Sequence, residues 1–207
     1  MTDHLTPTTD AERAREDPID AFVGYAYSLA RRDDGAARAA LAELRRSATD
    51  SVQHVRALSI LGDRIPDGVR GWQLDAYVLT AQLLAIYAAG GEAMPDRRLL
   101  PRRRNTLGAS ARYVNPRKLN TNGDYEDSQP GIGTRFSALL ALPAEDLPEE
   151  LRRFIRLLRS KDAPVDFYRL LHDLLRWEHP EQIVQTTWAR HYWASAQAEA
   201  SPDPSNA

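Results

Sequence analysis

The sequence predicts an all-α protein: two small helical bundles joined by a basic connector rich in proline, glycine and asparagine. Three observations carry this prediction. Apolar residues recur at i, i+3, i+4 in segment after segment. Capping residues, prolines and glycines punctuate those segments where helices start and stop. No stretch shows period-2 alternation bounded by hairpin turns. The 207 residues, 43 % hydrophobic and 27 % charged, suffice for one large or two small cores.

Asp17-Pro18 supplies a cap and a proline at the first helical position, and Phe22, Tyr25, Ala26 and Leu29 then form an apolar stripe. That first helix stops at Arg31-Arg32-Asp33-Asp34-Gly35. A second helix is predicted over 34–46 and a third over 51–61. A long apolar fourth spans 69–89 and ends at Gly90-Gly91. Residues 90–130 contain Pro95, Pro101, Pro116 and Pro130 and the turn-prone Asn120-Thr121-Asn122-Gly123, which leaves one short helix over 106–114. Four further helices are expected over 134–142, 148–159, 165–177 and 180–193. The predicted organisation is a bundle over 17–100, a connector over 101–130, a bundle over 131–194, and disordered ends at 1–16 and 195–207.

Zero cysteines exclude disulfide frameworks, Cys-ligated metals and thiol nucleophiles, and fit a reducing cytoplasm. The first 17 residues lack the apolar centre of a signal peptide, so the expected location is cytoplasmic. The longest uncharged run, Ala76 to Gly91, has 16 residues, short of the roughly 20 apolar residues a membrane-spanning helix needs. It reads as a buried core helix, with no membrane partner.

The net charge of -2 averages over segments of opposite sign. Residues 97–118 hold eight basic residues and no acid, whereas 124–150 hold seven acids and only Arg135. Arginine accounts for 25 of the 27 basic residues, a composition suited to bidentate phosphate contacts but equally to an arginine-rich genome.

LRRFIRLLRSKD at 151–162 is the strongest local constellation. Leu151, Phe154, Ile155 and Leu158 form the stripe to be buried, and Arg152, Arg153, Arg156 and Arg159 fall opposite, with Lys161 beyond. The functional reading is a phosphate track with all four guanidiniums on one surface; the alternative is a solvated face with carboxylate partners elsewhere. On the second helix Arg38 and Arg45 share one flank and either is a candidate phosphate contact, with ion pairs to Glu43 or Asp33-Asp34 as the alternative. Arg102, Arg103 and Arg104 precede Asn105, so a cap at Asn105 would join these arginines to a helix N-terminus in one anion site. Arg112 follows within the same basic run. Trp177, Trp188, Tyr192 and Trp193 raise the question of base stacking, but their helical spacing points to core packing.

Catalysis has no visible seat, and no cofactor is expected. His172-Asp173 would need further His and Asp ligands to act as a metal phosphohydrolase, and no HExxH spacing exists. Gly131-Ile132-Gly133-Thr134 lacks the lysine and spacing of a phosphate-binding loop.

RFSALLAL (135–142), DLPEELRRFIRLLRSKDAPVDFYRLLHDLLRWEHP (146–180) and QTTWARHYW (185–193) resemble the CasB family, the small subunits of the type I-E CRISPR surveillance complex, Cascade. Supporting likeness lies in FVGYAYSLARRDDGAARAALAELRR (22–46) and Thr106-Leu107-Gly108. The resemblance implies a non-catalytic, all-helical protein of two bundles. Its implied partners are other Cascade subunits, a second copy of itself, and the guide RNA and target DNA, with sequence read by base pairing alone. It implies a nucleic-acid role first for Arg38, Arg135, Arg152, Arg153, Arg159 and Lys161. Arg112, Arg156 and the arginines at 102–104 rest on the charge argument. The chain departs from the family pattern at Ala42-Glu43, with its arginines at Arg45 and Arg46, and at Thr186 and Thr187. The rival expectation is a helix-turn-helix DNA-binding regulator, which would discriminate between duplex sequences.

Overall fold

The computed structural model describes residues 17–48, 54–90, 105–119, 121–122 and 125–193. Nine α-helices lie among the described residues: α1 Pro18–Arg31, α2 Gly35–Ser47, α3 His54–Leu61, α4 Trp72–Tyr87, α5 Leu107–Val114, α6 Pro130–Leu140, α7 Leu147–Arg159, α8 Phe167–Leu174 and α9 Ile183–Trp193. Each corresponds to a helix expected from the pattern. The two ends, 1–16 and 195–207, and Arg102, Arg103 and Arg104 lie outside the described residues.

Local chemistry sets the starts. Asp17 Oδ1 accepts the Ile19 amide at 2.9 Å ahead of Pro18, and Asp34 Oδ1 accepts the Ala37 amide at 2.7 Å. Asp166 caps α8 by accepting the Arg169 amide at 3.1 Å. Asn105 does not cap α5. Thr106 holds that position, and Asn105 Nδ2 instead donates to Asp166 Oδ2 at 2.7 Å.

Helix α4 is central because it is apolar on every side: all residues from Ala76 to Tyr87 are buried. Helices α1, α2 and α3 pack against it, as do α7 and α8 from the later part of the chain. Helices α5, α6, α7 and α9 pack among themselves. Buried side chains of all nine helices belong to one hydrophobic cluster. Hydrogen bonds cross it, from Trp72 Nε1 to the Leu174 carbonyl at 2.7 Å and from the Tyr87 hydroxyl to the Ala163 carbonyl at 2.8 Å.

One expectation fails in the connector. Residues Arg117–Leu119 (β1) and Tyr125–Asp127 (β2) pair antiparallel, with Arg117 opposite Asp127. Three-residue strands are too short for alternation to register, and only the Asn-Gly turn signal between them marked the hairpin. Helix α5 is a packed element of the core. A Cβ at Gly108 would lie 2.0 Å from the Trp188 carbonyl oxygen, so only glycine allows α5 and α9 to meet at this distance. Thr106 Oγ1 and His191 Nδ1 stand 2.8 Å apart, and Asn115 Nδ2 donates to the Tyr192 hydroxyl at 2.6 Å. Trp177, Trp188 and Tyr192 are buried as expected, while Trp193 is 38 % exposed.

Candidate nucleic-acid interface

Helix α7 buries Leu151, Phe154, Ile155 and Leu158 together with Leu147. Its four arginines do not share one free surface, which corrects the sequence expectation. Arg152 keeps only 16 % of its side chain exposed, with Nη1 3.6 Å from Glu149 Oε2. Arg153 is exposed but pairs with Glu149 at 3.2 Å and also with Glu150. The helix begins one turn before the arginine stripe, so its own first-turn acids lie beneath Arg152 and Arg153. Arg156 is exposed, whereas Arg159 is half-buried against α4.

Docking on α4 creates a different arrangement. Gln82, Ala85 and Ile86 lie at i, i+3 and i+4, on one face of α4, and each meets a guanidinium. Arg152 Nη2 donates to Gln82 Oε1 at 3.1 Å, Arg45 Nη1 to the Ala85 carbonyl at 3.5 Å, and Arg159 Nη1 to the Ile86 carbonyl at 3.4 Å. The Gln82 amide is oriented from behind, because its Nε2 donates to Ser47 Oγ at 3.1 Å and Ser47 Oγ donates to the Leu44 carbonyl at 2.9 Å. All three anchors are neutral, and among the described residues only Arg152 also has a carboxylate, Glu149, within ion-pair distance. Burial pulls Arg45 below the usual guanidinium range, and repulsion from Arg46 and Arg159 adds to the shift. Burial lowers Arg152 too, against the pull of Glu149. The Arg152 Nε is buried without a hydrogen-bond partner among the described residues.

The other candidates divide by whether a carboxylate holds them. Among the described residues Arg135, Arg156 and Lys161 are exposed and their side chains make no hydrogen bond or ion pair. Arg38 is exposed, with only the fully open Asp33 nearby at 3.7 Å. Arg112 is 17 % exposed and donates to Asp127 Oδ1 at 3.2 Å and to the Asn115 carbonyl at 2.9 Å, with its guanidinium 5.5 Å from the centre of the Tyr192 ring. It therefore joins α5 to the hairpin and α9, and the expectation that it offers its charge at the surface is corrected. Sequence gave Arg45 only as a weaker candidate, and nothing in the pattern marked Gln82, Ser47 or the Ala85 and Ile86 carbonyls as its surroundings. Those partners come from helices far apart in the chain.

Asp173 is structural. Its carboxylate accepts Trp188 Nε1 at 2.6 Å and Arg169 Nε at 2.8 Å, and His172 Nδ1 is 3.9 Å away. Burial pushes the Asp173 carboxyl up, outweighing Trp188 and Arg169. Among the described residues no group of three or more His, Asp or Glu could hold a metal ion, and no helix is long and apolar enough to cross a membrane.

Comparison with known proteins places this architecture. The crystal structure of CasB from Thermus thermophilus superposes with a TM-score of 0.65 at 26 % identity, covering 87 % of this chain and 100 % of that one. CasB from M. ruber gives 0.61 at 28 % identity over 88 % of this chain and 96 % of that one. A chain of a CRISPR RNA-guided surveillance complex shares the fold, with a TM-score of 0.62 at 23 % identity over 84 % of this chain and 91 % of that one. In sequence, the CRISPR-associated protein Cse2 of Thermus thermophilus is 42 % identical over 68 residues, which are 33 % of this chain and 38 % of the relative's length. The family profile of CRISPR-associated protein Cse2 matches residues 40–193, well over half of the sequence, and so the chain belongs to the Cse2 family, in agreement with the likeness to CasB read from its helices.

Proposed function

We propose that this chain is a non-catalytic subunit of a CRISPR surveillance complex of the Cascade type, where it holds nucleic acid by its phosphates without reading sequence. Family membership supports the assignment to such a complex. The observation that carries the nucleic-acid reading is the seam of α2, α4 and α7, where Arg45, Arg152 and Arg159 rest on neutral anchors and, among the described residues, only Arg152 is also paired with a carboxylate. Arg38, Arg135, Arg156 and Lys161 are further exposed cations. Phosphate contacts of this kind position a protein on nucleic acid, and base pairing with a guide supplies the specificity. The function that follows is stabilisation of the guide RNA and target hybrid, and of the displaced strand, in the opened target. The partners are other subunits of the complex, a second copy of this chain, guide RNA and target DNA, and the setting is the cytoplasm.

Fluorescence anisotropy of the purified protein against labelled single strands and duplexes of unrelated sequence, across a salt series, tests the reading. Binding that ignores sequence and falls steeply with salt is expected. Selection of one duplex sequence would replace it with the regulator reading. Reconstitution with and without the chain, followed by permanganate footprinting of the opened target, tests the role in the complex.

A further inference from the structure

Arg45 on α2 and Arg159 on α7 both reach the C-terminal end of α4. They donate to consecutive carbonyls, Ala85 and Ile86, in the last turn of that helix. One cation at a helix C-terminus is ordinary, because it satisfies an orphan carbonyl and meets the negative end of the helix dipole. Two are not required for that purpose. The second guanidinium repels the first, and that repulsion is felt at Arg45. Neither side chain has a carboxylate partner among the described residues.

The donors are also underused. A guanidinium carries five N–H groups, and each of these two spends one on a long hydrogen bond of 3.5 and 3.4 Å respectively. Both side chains are half-buried, so they are partly desolvated yet open to a ligand. Elsewhere the chain neutralises closely set arginines: Glu43 serves Arg46 and Arg56, Asp127 serves Arg112 and Arg117, and Glu149 with Glu150 serves Arg153. Among the described residues the Arg45 and Arg159 pair has no such neutralising anion. A phosphate fits the need, because its oxygens accept bidentate bonds from two planar forks at once.

We propose that Arg45 and Arg159 form a two-guanidinium clamp for one phosphate group, assembled at the C-terminal end of α4 when α2 and α7 dock on it. The proposal deepens the nucleic-acid reading by naming the place where a backbone phosphate is gripped. It rests on that reading only for the source of the phosphate.

The first arm of the test uses inorganic tripolyphosphate and thermal unfolding of the full chain. Tripolyphosphate is expected to raise the Tm of the wild type, and the Arg45→Gln/Arg159→Gln variant is expected to lose that rise. An equal rise in both proteins overturns the clamp. The second arm titrates a labelled single-stranded DNA across a salt series. The double variant is expected to flatten the plot of log affinity against log salt by about 0.7 for each phosphate contact removed. A wild type that binds the strand, beside a variant with the same slope and the same response to tripolyphosphate, overturns the clamp and leaves the nucleic-acid reading standing. A wild type that ignores the strand but responds to tripolyphosphate through these two arginines overturns that reading and supports the clamp. Should the double variant fail to fold, Arg45→Lys and Arg159→Lys replace it, since lysine keeps the charge at the helix end and loses the fork. A tripolyphosphate response at least halved in both lysine variants supports the clamp, and an unchanged response in either overturns it.

Discussion

Gly108 and Asp173 show how much of this fold hangs on single side chains. At Gly108 a methyl group would meet the Trp188 main chain, which cannot rotate away. Gly108→Ala is expected to force α5 from α9 and to destabilise the protein by more than about 2 kcal/mol in urea unfolding. Asp173 acts through charge. Burial raises its carboxyl above the ordinary value of 3.8, so between that value and the raised one the native state binds more protons than the unfolded chain. The associated stability is complete below about pH 4 and is lost as pH rises through the raised value. Half-buried Asp34 and Glu43 shift the other way, chiefly through hydrogen bonds from Ala37 and from Arg46, and their contributions cancel when two variants are compared. Asp173→Asn cannot titrate, so its stability relative to the wild type is expected to rise with pH across that window, as measured by chemical denaturation at a series of pH values.

Helix α7 carries the functional argument at the level of the element. Its apolar stripe follows from the 3.6-residue period, and Leu151→Ala is expected to cost about 2–5 kcal/mol in denaturation because Leu151 is wholly buried. Its polar side depends on neighbours. Gln82 sits between Ser47 on α2 and Arg152 on α7, so Gln82→Leu removes the acceptor of a mostly buried guanidinium. A loss of about 1–3 kcal/mol is expected, read as a lower urea midpoint. The element also shows where the pattern misled. Read from Leu151 to Lys161, the segment has four arginines and no acid, but the helix expected over 148–159 already carries Glu149 and Glu150 one turn earlier, and in the structure they pair with Arg152 and Arg153.

Across the whole molecule, the later part of the chain folds back onto the earlier part. Helix α8 packs on α1 and α4, and Trp72 is bonded to the Leu174 carbonyl. A core continuous through all nine helices is expected to unfold cooperatively, with coincident urea transitions by tryptophan fluorescence and far-ultraviolet circular dichroism. Separate transitions would instead divide the chain into independently stable bundles.

The sequence by itself determined the all-α class, the place of every helix among the described residues, the cap at Asp17, the buried α4 and the family. These depend on residues within one or two helical turns of each other, and local periodicity and hydrogen bonding record them directly. The tertiary structure alone decided that Arg152 turns inward, that Asp127 holds Arg112, that α5 meets α9 at a glycine, and that Arg45 stands beside Arg159. Each depends on which helices touch, and contacts between segments distant in the chain leave no period for a single sequence to display. The short hairpin lies between these cases, since its turn was legible and its strands were too brief to be.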